Sequence, residues 1–267
     1  MSNEVLFFGG FILFIILMLA IDLGLFSKSN KAVSLKQAAI MSAIWVSFAL
    51  GFYVVLRIWG HELHNIDTWE QLVLITEKHL HNITLNPDDL AASINIYRQN
   101  LSLEYITGYV VEYALSVDNI FVLVLVFGSF GVNPKYYHKV LVWGIIGAVV
   151  LRFLFIFIGA ALISKFGWIL YVFGFFLVYT GFMMFINRNQ EDEIDPKNHG
   201  VVKFASKYFS VYPDFVNGNF FHKENGKKYI TPLFLVLLVI EFTDVIFAVD
   251  SIPAIFAVTK DPYIVFF

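Results

Sequence analysis

Six stretches of this chain stay apolar for about 20 residues each, the length a helix needs to cross the hydrocarbon core of a bilayer. They are residues 5–26, 37–59, 106–127, 140–163, 168–186 and 233–258. Polar positions gather between these stretches and do not alternate within them. The pattern therefore predicts helices, one of the two structures that satisfy their own backbone in lipid, and not the alternating strands of a barrel. The expected architecture is all-α: a polytopic helical membrane protein in which residues 1–267 form a single transmembrane domain. Two longer connections interrupt it, residues 60–100 and 187–230.

Composition points the same way. The chain is 58% hydrophobic and 15% charged, whereas a soluble domain averages ~45–50% apolar and about 25% charged. A net charge of −3 and the lack of a basic arm give no reason to expect a nucleic-acid partner; the lipid bilayer is the expected surrounding. There is no Cys, hence no disulfide framework and no thiolate metal site. The opening MSNEVLFF lacks the basic flank and small-residue cleavage site of a removable signal peptide, so its apolar run is expected to stay as the first span.

Basic residues set an expected orientation. Lys28, Lys31 and Lys36 follow the first stretch, Lys135 and Lys139 the third, and Arg188, Lys197, Lys203, Lys207, Lys223, Lys227 and Lys228 the fifth. They outweigh Arg57, Lys78, Arg98, Lys165 and Lys260 on the opposite side. The positive-inside rule then places the N-terminus outside, residues 60–100 as an extracytoplasmic loop and residues 187–230 as a cytoplasmic loop. The first loop holds His61, His64, His79 and His81. A peripheral metal-capture site is the sharp reading of them, but their spacing marks no coordination geometry. They are expected to be ordinary solvated loop residues on short amphipathic helices. Turn signals at Asp195-Pro196, Asn217-Gly218 and Asn225-Gly226 predict that the second loop is a small ordered connector with a hairpin.

The chemistry lies inside the spans. Residues 112–120 read EYALSVDNI and residues 244–252 read DVIFAVDSI. Each is an acid, five residues, Asp, a small polar residue and Ile. The copies lie three spans apart, so they run in opposite directions through the membrane, as expected of an inverted three-plus-three repeat with its site near the midplane. At about 100° per residue, Glu112, Ser116 and Asn119 share one helix face, and Glu241, Asp244 and Ser251 share another. Asp118 and Asp250 fall about 120° from the acids that open their motifs. A helix break at Pro253, which cannot donate to the carbonyl of Val249, would turn Asp250 inward.

Magnitudes limit the explanations. A charge at bilayer depth costs about 2.5–3.5 kcal/mol, so Asp22, Glu112, Asp118, Glu241, Asp244 and Asp250 would together cost roughly 15–20 kcal/mol as isolated insertions. Away from the span ends, Arg152 is the one basic residue and reads as a structural counter-ion. The remaining acids must be protonated, hydrated or neutralised by cations. Carboxylate, amide and hydroxyl oxygens suit Mn²⁺, Ca²⁺ and Mg²⁺, and clustered acids hold protons that an entering metal displaces. These carboxylates, with the amide and hydroxyl oxygens beside them, are the expected cation/proton exchange site. The plain alternative is that the acids join helices through hydrogen bonds, with Asp22 reaching the interface. The Met183-Met184 pair and the glycines Gly144, Gly147, Gly159, Gly174 and Gly181 read as packing.

The segments ITGYVVEYALSVDNIFVLVLVFGSF, VLVWGIIGAVVLRFLFIFIGAALI and TPLFLVLLVIEFTDVIFAVDSIPAIFAVTKDPYIVF closely resemble the TerC family of integral membrane proteins. The resemblance extends to AIDLGLF and NGNFFHKENGKKYITPLF and leaves out residues 60–100. It implies a bacterial inner-membrane protein linked to tellurium resistance and to manganese export, with the acidic motifs functional: carried over, a metal site of Glu112, Asp118, Asn119, Glu241, Asp244, Asp250 and Ser251, with Asp22 a weaker addition. It also implies a seventh span, of which residues 263–267 would be the beginning, after six complete ones. The expected function is efflux of a divalent cation, Mn²⁺ first, coupled to protons, with no cofactor beyond the transported ion. The alternative is a membrane scaffold that docks cytoplasmic protein partners of a stress response. An intramembrane aspartyl hydrolase would also need paired Asp, but its Gly-x-Gly-Asp signature is absent, so no enzyme is expected.

Overall fold

Each of the six apolar stretches falls on one helix of the computed structural model, Trp168 alone preceding its helix; the structure describes residues 3–27, 35–187 and 199–267. The helices are α1 (Asn3–Ser27), α2 (Leu35–Trp59), α3 (Trp69–Lys78), α4 (Leu90–Ser129), α5 (Tyr137–Lys165), α6 (Ile169–Asn187), α7 (Gly200–Tyr208), α8 (Pro232–Val258) and α9 (Pro262–Phe266). A two-stranded hairpin, β1 (Phe221–Glu224) and β2 (Lys227–Ile230), precedes α8. Four of the described helices are long and apolar enough to cross a membrane: Lys36–Trp59, Leu90–Ser129, Pro134–Lys165 and Pro232–Val258. Shorter apolar stretches occupy Val5–Ile21 and Ile169–Met183. Large side chains such as Phe121, Tyr171, Phe175 and Val178 stand exposed along these helices. Apolar surface on that scale is unsuited to water and is what a lipid-facing helix presents.

The chain divides into two compact units. The first comprises Met1–Glu112 and Ile255–Phe267. Its core holds Leu56, Leu63, Ile66, Leu72, Tyr97, Leu101 and Ile264. The segment between α2 and α4 is folded around the short helix α3, and its local chemistry explains why. Thr68 and Gln71 form a reciprocal capping box at the start of α3. The Asp89 carboxylate accepts from the Ala92 N–H at 2.8 Å, which starts α4 well before its apolar stretch. With 40 residues, α4 is roughly 60 Å long at 1.5 Å per residue, about twice a hydrocarbon core. Its polar first half packs into this unit. There Arg57 donates to the Asn95 side chain at 2.9 Å and Arg98 to the Ile58 carbonyl at 2.7 Å. The short α9 closes the same core. Phe266 and Phe267 pack against Phe8 and Phe11, and Phe267 also meets Phe52.

The second unit is Tyr113–Ala254. Here the Asn225-Gly226 turn signal is realised as a two-residue hairpin connection, with φ of 50° and 79°. Positive φ at both central positions matches the right-handed twist of the strands. The hairpin's last residue, Ile230, is buried with Ala205 and Leu235. Thr231 follows it, donating through its hydroxyl to the Asn219 carbonyl at 2.6 Å, and so fixes where α8 begins. The Asp195-Pro196 signal lies outside the described residues.

The first core depends on groups that the chain brings together from far apart. Leu63→Ala, at a fully buried position, is expected to cost about 2–5 kcal/mol. Leu74→Ala, at an exposed position of α3, should stay within about 0.5 kcal/mol. Thermal unfolding of the two variants in detergent measures the difference.

Candidate functional site

Helix α8 carries Glu241 and Asp244 one turn apart, and both face α5 within the second unit. The Glu241 carboxylate lies against Gly147, so close that a Cβ at that position would occupy its space. Gly147 was expected to serve helix packing alone. It also leaves room for the acid. One turn along each helix, Arg152 donates through Nη2 to Asp244 Oδ1 at 3.3 Å, the counter-ion pairing expected of it. Thr243 sits between the two acids, and its hydroxyl turns back to the Val239 carbonyl at 2.7 Å.

Further along α8 come Asp250 and Ser251. The expected break at Pro253 is not there, and α8 is helical from Pro232 to Val258. A proline removes one backbone bond, and apolar helices tolerate that loss where neighbouring groups take up the freed carbonyl. Asp250 therefore keeps its place about 120° from Asp244, while Ser251 shares the face of Glu241 and Asp244. Four buried oxygens of this helix have no hydrogen-bond partner among the described residues: Glu241 Oε2, Asp244 Oδ2, Asp250 Oδ1 and Ser251 Oγ. Each such group costs about 1–3 kcal/mol until something satisfies it.

The matching motif lies on α4. Glu112 is the last residue of the first unit's part of that helix, and Asn119 belongs to the second unit. The side chains of Asp118 and Asp22 lie outside the described residues, although the backbone is helical at both positions. Of the predicted set, Glu241 and Asp244 are thus brought together beside one arginine, and Asp250 is not on their face.

A second cluster joins two of the loop histidines, whose metal-capture reading the spacing did not favour, to an acid that was not foreseen. His64, His79 and Asp261, all in the first unit, offer ligand atoms within 4.8 Å of one another. The loop histidines are not solvated: His64, His79 and His81 are 5%, 4% and 7% exposed. His64 Nε2 donates to Asp261 Oδ2 at 2.8 Å, and the backbone N–H of Tyr263 donates to Asp261 Oδ1 at 2.9 Å. Burial alone would raise the Asp261 pKa. The His64 hydrogen bond, the nearby imidazoles and the Tyr263 N–H outweigh it and hold the value at about 2. Burial lowers the His79 pKa, against the opposing pull of Asp261, and so keeps the ring neutral. Around this cluster, Glu104 accepts from His81 Nδ1 at 2.9 Å, from Asn100 at 2.7 Å and from the Thr259 hydroxyl at 2.6 Å. Asp261 is separated from His64 by 197 positions, so no spacing rule could have joined them. The nearest available signal was the Asp-Pro pair that starts α9.

Comparison with known proteins adds a family. The model described as "Integral membrane protein TerC family" matches residues 97–267. An "Uncharacterized membrane protein STKORF319" of Myxococcus xanthus is 41% identical over 257 residues, covering 96% of this chain and 68% of that protein. The "Putative membrane-bound redox modulator Alx" of Escherichia coli (strain K12) is 40% identical over 261 residues, covering 97% of this chain and 72% of that protein. An uncharacterized membrane protein of Rickettsia bellii is 34% identical over 251 residues. No solved structure matches.

The Arg152–Asp244 pair can be tested directly. Arg152→Met should lower stability by about 1–3 kcal/mol, because it strands a carboxylate in an apolar helix. Adding Asp244→Asn to it should restore part of the loss. A double-mutant cycle on thermal unfolding is expected to give a coupling of about 0.5–3 kcal/mol.

Proposed function

Because this chain belongs to the TerC family of integral membrane proteins, we propose that it carries a divalent cation, Mn²⁺ first, out of the cytoplasm in exchange for protons. The unpartnered buried oxygens of Glu241, Asp244, Asp250 and Ser251 carry this reading. All four are oxygen donors, the kind that hard divalent ions take and soft ones do not. Arg152 acts as a tethered cation on Asp244, and an arriving ion competes with it for that carboxylate. Protons held by the acids leave as the metal enters. The family's acidic motif on α4, with Glu112, Asp118 and Asn119, supplies the second half of the pathway, and Asp22 a lesser contribution at the end of α1. In this reading the protein sits in the bacterial inner membrane with its N-terminus outside.

The relatives named as redox modulators fit the same picture. A redox effect can take a route without thiols, and these 267 residues contain none. A changed cytoplasmic manganese level would be such a route.

The test is Mn²⁺ uptake and proton counter-flux in proteoliposomes. Glu241→Gln and Asp250→Asn are expected to abolish both fluxes. Gly147→Ala should do nearly the same by displacing Glu241. Gly144→Ala, whose added methyl meets only Ile240 at an ordinary 3.4 Å, should transport normally. Wild-type flux in Glu241→Gln and Asp250→Asn would refute the proposal.

A further inference from the structure

We propose that His64, His79 and Asp261 bind one borderline divalent cation of the Zn²⁺ and Co²⁺ class, which clasps α9 to the folded segment between α2 and α4. The inference stands apart from the transport reading, because it uses none of the α8 acids.

The donor geometry is nearly that of a tetrahedral centre. Ligand bonds of about 2.0–2.2 Å place the donors of such an ion about 3.4 Å apart. The three groups here lie within 4.8 Å of one another, and the His64–Asp261 edge is already 2.8 Å. Reaching that spacing takes closure by at most about 1.4 Å on the longest edge and opening by about 0.6 Å on the shortest. The ion would take the place of the proton that His64 and Asp261 share.

Burial makes this more than a chance cluster. The His64 and Asp261 side chains are fully buried. His79 is 4% exposed, and its Nε2 has no hydrogen-bond partner among the described residues. An imidazole nitrogen sealed in a core without a partner costs about 1–3 kcal/mol, and a metal bond accounts for it. Two imidazoles and one carboxylate favour Zn²⁺ or Co²⁺ over Mg²⁺ and Ca²⁺.

The surroundings are arranged as the outer sphere of a metal usually is. The Tyr263 N–H holds Asp261 Oδ1 and leaves Oδ2 to face His64. The Thr259 hydroxyl, donating to Glu104, also accepts from the Asp261 N–H at 3.3 Å. Groups that orient ligands in this way tune affinity by about 10–100-fold. Glu104 supplies a second carboxylate, so that with Asp261 the network balances a doubly charged ion.

The experiment uses the full chain in detergent, stripped with chelator and titrated with Co²⁺ alone. One equivalent should bind with the strong visible absorption of a four-coordinate nitrogen and oxygen site. Zn²⁺ should bleach that band and raise the melting temperature. His79→Ala should lose both the band and the thermal shift, Glu104→Gln should weaken binding about tenfold, and Leu74→Ala, at an exposed position, should leave both intact. An unchanged band in His79→Ala, or only the pale spectrum of a six-coordinate ion, would overturn the assignment. If His79→Ala does not fold, X-ray absorption on the zinc-loaded wild type decides: two imidazoles in the first shell support the site, and an oxygen-only shell removes it.

Discussion

Acidic side chains inside apolar helices must be neutralised, and in the second unit that requirement governs which residues sit beside which. Glu241 is accommodated by the absence of a side chain at Gly147. Asp244 is met by the guanidinium of Arg152 one turn further on. Two neighbouring acids are thus handled in opposite ways, one given room and one given a charge. Were the acids only joining helices, the economical solution would be a partner for every oxygen. Buried oxygens of Glu241, Asp244, Asp250 and Ser251 are instead left without one among the described residues. That shortfall is what the proposed ion would make good.

The first unit rests on a different device. Its core is completed by Ile255–Phe267, whose contacts reach back to Phe8, Phe11, Phe52 and His64. Asp261 serves two purposes at that junction. It caps α9 through Oδ1, with Pro262 supplying the preset backbone of the first helical position, and it holds His64 through Oδ2. A carboxylate that caps a short helix is anchored by backbone, so its free oxygen points where the fold directs it.

The helices were legible because about twenty consecutive apolar residues leave the backbone few alternatives in lipid, and the hairpin because Asn-Gly accepts positive φ at both turn positions. Arg152 was legible as a counter-ion because it is alone among acids. The folding of residues 60–100 was less so. It depends on caps at Thr68 and Asp89, which are local, and on the burial of His64, His79 and His81, which is not. Histidine in a polar stretch reads as solvated until a distant partner such as Asp261 is known. Pro253 misled for the opposite reason: the local rule that proline breaks a helix was sound, but α8 absorbs the loss and continues. Gly147 was legible as a close contact and illegible as a site residue, since only the fold shows what approaches it.

The two donor sets differ in the property that separates passage from retention. Oxygen ligands on α8 lie on one long helix, two of them already engaged by a glycine gap and an arginine. A hard ion exchanges readily among such groups, and a transported ion has to leave. The donors at His64, His79 and Asp261 come from the turn after α2, the end of α3 and the cap of α9. Releasing an ion there would loosen three segments at once, and nitrogen ligands hold borderline metals more firmly than oxygen alone. An oxygen set proposed for turnover and an imidazole set proposed to hold an ion are therefore consistent within one chain.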